Sequence, residues 1–156
     1  MAAAFEGFIA QWDFTHQMTK AFVDTVPDDH WLFSPHPRFA PFAKQLRHVV
    51  CVRGAYNEGI ASGATDFRRK HDHYQGPLER SPLLAALEEK QQRLHDLLAR
   101  APSASSQIDF GGRNISLEQF TCIILQHEAI HLGEWSMYAA LAGFETPLMW
   151  RLQWGL

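Results

Sequence analysis

The segment "LQHEAIHLGEW" sets His127, Glu128 and His131 in the order H-E-x-x-H. Residues four apart lie one above the other on a helix face, so both imidazoles can reach a single ion. Imidazole nitrogen binds zinc at about 2.0–2.1 Å. A third ligand must come from another element, and His48 in "QLRHVV" is the leading candidate, because it falls on the inward stripe of a separate apolar segment. Three histidines would fix a divalent ion and leave positions open for water or substrate, which separates a catalytic site from a closed structural one. A lone helical histidine is more often an ordinary core or surface residue. The i, i+4 pair together with His48 carries the inference.

H-E-x-x-H is also the helix signature of zinc proteases, where the glutamate polarises a water. Glu128 occupies that position. The metzincin extension then requires glycine and histidine where this chain has Glu134 and Met137. No strand-rich region is present to hold an extended peptide, so a protease or hydrolase of this type is the lesser alternative. A helical neighbour one residue on points about 100° away. Glu128 is therefore a candidate base, a candidate orienter of a ligand, or a surface residue. His16, four residues after Trp12, is a candidate for lining the pocket, set against a hydrogen-bonded core histidine. Cys51, three residues after His48, is read as core packing rather than as a fourth ligand.

Four amphipathic segments must position these residues. Apolar positions recur at helical spacing over 5–26, 41–61, 81–100 and 116–142. Pro41 suits a first helical turn, and Ser81-Pro82 reads as a cap followed by a first-turn proline. Ser116 with Gln119 reads as a capping box, and Gly143 as a C-terminal stop. Prolines within 27–41 argue for a loop, and the polar stretch 62–80 is a long connection. Its run Arg68-Arg69-Lys70, flanked by Asp66 and Asp72, reads as a solvated loop. No segment alternates long enough for a convincing strand, and "IDFGGRNI" would form a short one at best. The expectation is an all-α four-helix bundle, one domain over 1–156, whose long connection between helices 2 and 3 permits a crossover. The tail "PLMWRLQWGL" repeats leucine and tryptophan at a spacing of four, as a short amphipathic turn covering the bundle or as a partner-binding edge.

The chain has 156 residues, 46% of them hydrophobic and 20% charged, as expected for a globular protein. A net charge of −3 offers no footprint for nucleic acid. Cys51 and Cys122 form no CxxC pair, and both sit in apolar helical patterns, so both are expected as free buried thiols in a reducing compartment. The start "MAAAFEGFIAQWD" lacks a positively charged secretory opening, and no apolar run approaches the ~18 residues of a membrane span. A cytoplasmic location without a membrane partner is the expectation.

"QLRHVV" early in the second helix, H-x-x-x-H late in the chain, and "AALAGFETP" closing the last helix together resemble the DinB/YfiT-like superfamily. The resemblance spans essentially the whole chain, although Leu132 stands where that family often has arginine. It implies an up-down-down-up bundle with a crossover between helices 2 and 3, often homodimeric. It also implies zinc or nickel held by His48, His127 and His131. Characterised relatives include transferases and isomerases that use a low-molecular-weight thiol as co-substrate. The expected function is thus a metalloenzyme acting on a small molecule, with a non-catalytic metal-binding or stress-related bundle as the alternative. A bound divalent ion lowers the pKa of a coordinated water or thiol, so a nucleophile exists at neutral pH.

Overall fold

In the computed structural model, residues 5–155 are described. Met1–Ala4 and Leu156 lie outside them, and with them the first residues of the N-terminal reading and the last of the tail. Four long helices carry the chain: α1 (Glu6–Thr25), α2 (Phe42–Ser62), α3 (Arg80–Arg100) and α4 (Leu117–Ala142), followed by a short α5 (Leu148–Trp154). Each lies within a residue or so of the span its apolar periodicity predicts. The expected capping box forms: Gln119 N–H donates to the Ser116 hydroxyl, and Ser116 N–H donates to the Gln119 side-chain oxygen. Gly143 ends α4 with φ of 81°, a left-handed conformation that glycine adopts without a Cβ penalty. The Ser81 cap is corrected, since α3 begins at Arg80 with Glu79 before it and no side-chain cap.

The sequence allows one short strand at best, in "IDFGGRNI", and the structure goes further. A small sheet of three strands, β1 (Ala64–Thr65), β2 (Gln107–Phe110) and β3 (Arg113–Ser116), runs in the order β1-β2-β3. The segment "IDFGGRNI" makes the antiparallel β2–β3 pair, turning at Gly111 and Gly112, both with positive φ. β1 then pairs in parallel with β2, Ala64 opposite Asp109. That pairing is non-local and two residues long, so no alternating pattern announces it.

The sheet fixes the helix directions. β1 follows the end of α2, β2 follows the end of α3, and β3 leads into α4. Phe5, ahead of α1, packs in one cluster with Leu98, Ile108 and Leu117 at the same end. So α1 leaves the sheet end, α2 and α3 both run towards it, and α4 leaves it again. This is the up-down-down-up bundle with its crossover between α2 and α3.

The returning connection is packed against α2 rather than loose. Phe67 meets the Tyr56 ring edge-on at 5.7 Å, His73 covers Gly54, and the Tyr74 carbonyl lies 3.8 Å from Cys51 Sγ. Phe67–His73 forms a 3-10 helix, whose run Arg68-Arg69-Lys70 stays at the surface with Arg68 on Asp66 and Arg69 on Asp72. The second cluster, at the opposite end, is aromatic. Phe22 stacks on Trp135 at 5.5 Å and on Trp150 at 5.1 Å. Trp150 brings the tail onto the bundle, and its indole N–H donates to the Met18 carbonyl at 3.1 Å. Cys51 is buried as expected; Cys122 is exposed, because it faces outward from α4 between the buried Thr121 and Ile124. No helix of the described residues is long and apolar enough to cross a membrane.

Candidate metal centre

His48 rises from the first half of α2, and His127 and His131 from the middle of α4. One ring nitrogen from each lies within 4.8 Å of the other two, and among the described residues no other group of three metal-ligating side chains converges in this way. His127 Nε2 and His131 Nε2 are 3.2 Å apart. Ligands at about 2.0–2.1 Å in tetrahedral array are roughly 3.3 Å from one another, so this pair already has the spacing of two ligands of one ion. The His48 ring stands 5.0 Å from the His131 ring and 5.6 Å from that of His127, centroid to centroid.

The electrostatics suit a cation. Burial, followed by the charge of His131, lowers the pKa of both His48 and His127 to about 4. Both rings are therefore neutral at pH 7, with lone pairs free, which is the state a metal requires. Glu134, one turn beyond His131, accepts from His131 Nδ1 at 2.8 Å. A ring that donates from Nδ1 presents its lone pair at Nε2, on the side of His127. Tyr56 walls the far side of the site, its ring edge-on to His127 at 5.7 Å. The donor set and its spacing fit a divalent ion.

Glu128 faces away from the three imidazoles. It is 1% exposed and forms a buried ion pair with Arg53, itself 3% exposed. Arg53 donates from Nη2 to Oε1 and from Nε to Oε2, the latter at 3.3 Å, while the Thr19 hydroxyl donates to Oε1 at 2.8 Å. Burial alone would raise the Glu128 carboxyl, but the Arg53 charge and these hydrogen bonds hold it below the ordinary value. His16 belongs to the same network and uses both ring nitrogens: Nδ1 to Arg53 at 2.9 Å and Nε2 to Glu88 at 3.1 Å. It is a hydrogen-bonded core histidine. Arg53 and Glu134 were not singled out from the sequence. Arg53 is the one charge in the apolar run "VVCVRGAY", and Glu134 stands at i+3 from His131, so each left a visible sign.

Fold and site together define a class: helical bundles that set three histidines on their second and fourth long helices. The family model described as the DinB superfamily matches residues 11–135, and the chain belongs to that superfamily. Among solved structures, the chain is similar to the DinB-like protein YjoA of Bacillus subtilis. The TM-score is 0.69 at 16% identity, covering 91% of this chain and 96% of that one. At that identity the likeness concerns the fold. No curated protein matches the chain.

Proposed function

We propose that the chain is a metal-dependent enzyme acting on a small molecule. The reaction is an S-transfer or isomerisation that uses a low-molecular-weight thiol as co-substrate. One observation carries the reading: three imidazoles converge, and among the described residues no carboxylate or thiol joins their group. An ion held by His48, His127 and His131 keeps coordination positions for substrate. When bound there, zinc or nickel supplies Lewis acidity that favours the ionised form of a thiol or water.

The chain's own groups do the rest. Glu134 holds the His131 ring by its Nδ1–H. Tyr56 forms an apolar wall beside His127, and Phe67 backs it edge-on. The protease alternative draws no support from Glu128, whose oxygens are engaged by Arg53 and Thr19. Homodimerisation and a cytoplasmic location belong to the same proposal. Ile130, Met137 and Leu141 of α4 and Leu148, Leu152 and Trp154 of α5 are exposed apolar side chains of the kind self-association covers.

The test is turnover by zinc- or nickel-loaded protein over a panel of small thiols paired with electrophiles. The proposal expects thiol consumption that requires metal and disappears in His127→Ala/His131→Ala. Bound metal without turnover across thiols, esters and amides would favour the non-catalytic metal-binding bundle instead.

A further inference from the structure

We infer that Arg53, Glu128 and His16 are positioning residues, which lock the registers of α1, α2 and α4 and thereby set the geometry of the three-histidine centre. The inference rests on His48, His127 and His131 being metal ligands.

The bundle core is divided at mid-height. One apolar cluster takes Met18 and Phe22 of α1, Val49 and Val50 of α2, Leu83 and Leu87 of α3, and Leu132 and Trp135 of α4. The other takes Trp12, Val52, Tyr56, Leu94 and Ile124 from the same four helices. Between them each helix turns a polar group inward or to the seam: His16 from α1, Arg53 from α2, Glu88 from α3 and Glu128 from α4. His127 stands at this level, while His131 and His48 lie a turn or so from it, beside Leu132 and Val49 of the first cluster.

The layer is ordered by donors and acceptors. A guanidinium can only donate, so His16 Nδ1 accepts from Arg53 and the imidazole proton sits on Nε2, which donates to Glu88. Lys20 also pairs with Glu88. The path therefore runs from the surface of α3 through α1 and α2 to the carboxylate of α4. The Arg53 guanidinium lies 4.5 Å over the Trp12 ring, which fixes its plane as well.

Stability does not account for this arrangement. Replacing a buried ion pair by apolar groups of similar volume is often neutral or stabilising. What a two-point guanidinium–carboxylate contact provides is register, because apolar faces slide where a fork does not. Register matters most between α2 and α4. α2 packs most extensively on α3, and its meeting with α4 is slighter. Yet the centre takes one ligand from α2 and two from α4. Glu128 adjoins His127, and Arg53 lies five residues from His48, about 7.5 Å along the helix axis. The ion pair thus pins the two helices within about a turn and a half of the ligands they must align.

The experiment compares full-length wild type, Arg53→Met/Glu128→Leu, Arg53→Lys and His48→Ala. Thermal unfolding is measured, with zinc affinity by chelator competition and the visible absorption of the cobalt-loaded proteins. The double variant is expected to fold with a melting temperature at or above that of wild type. It should bind zinc about 10- to 100-fold more weakly, the range seen when groups that orient metal ligands are removed, and give an altered cobalt spectrum. Should the double variant not fold, Arg53→Lys decides: it keeps the charge and loses the fork, and weakened zinc binding is expected. Wild-type zinc affinity and cobalt spectrum in a folded double variant, or in Arg53→Lys, would overturn the inference while leaving the metal reading intact. No zinc in wild type, or undiminished zinc in His48→Ala, would overturn the metal reading and this inference with it.

Discussion

His131 is held in place by a residue whose sequence position first appears only as a mismatch. Glu134 occurs where a metzincin has glycine, and at i+3 it reaches His131 Nδ1. Glu134→Ala is expected to leave the fold intact and to weaken zinc binding about 10-fold or more, read by chelator competition. His16 makes a separate, pH-dependent prediction. Burial first, and then the Arg53 charge, lower its pKa below 6.5 in the folded protein. The unfolded chain therefore binds the proton more readily. Its contribution to stability is complete above pH 6.5 and declines as pH falls from there through the lower folded value. His16→Gln should show a shallower loss of melting temperature below pH 6.5 than wild type; an identical slope would remove His16 from the account. At this scale the convergence of His127 and His131 was legible because i, i+4 spacing is a local pattern. The partners of Arg53 and His16 were not, because they stand on other helices, and nothing local specifies which faces meet.

Among the elements, the connection between α2 and α3 is the one whose character the sequence concealed. Its length was plain, and so was its polarity. Its packing depends on two glycines of α2 that look incidental in "VRGAYNEGIA". A Cβ on Gly54 would lie 2.4 Å from His73 Cβ, and one on Gly59 would lie 2.5 Å from Thr65 Cγ2. Both contacts are shorter than van der Waals separation, so the connection lies in a groove that only glycine leaves open. Gly54→Ala is expected to cost about 1–3 kcal/mol, despite the better helix propensity of alanine. The loss should appear as a lower melting temperature with faster amide exchange over 67–73. Unchanged exchange there would mean that the connection is held by other contacts. The capping box and the Gly143 stop, by contrast, were legible to the residue, because a helix end is specified by a few neighbours.

Across the whole molecule, the bundle reads as two apolar ends joined through a polar middle, with the three converging histidines at or beside that middle. The end away from the sheet depends on α5, which the sequence left open between a cover and a binding edge. Trp150 is buried and covers the bundle, whereas Trp154 is exposed. Trp150→Ala should cost about 3–5 kcal/mol, typical for a buried large aromatic, and leave metal stoichiometry unchanged, since the tryptophan stacks on Phe22 and not on any of the three histidines. Loss of metal on this substitution would show that the two ends are more tightly coupled than the divided core implies. The helix order was legible only as permitted by the long connection. The two-residue β1, paired with β2 far along the chain, is what ties the ends of α2 and α3 together.

The central claim is that His48, His127 and His131 hold one ion. The most direct measurement is the metal content of untagged protein purified without added metal, beside His127→Ala/His131→Ala purified in the same way. The account predicts about one zinc or nickel ion per wild-type chain and none in the variant. Wild-type protein that carries no metal, and takes up none on incubation with zinc and nickel, would contradict it.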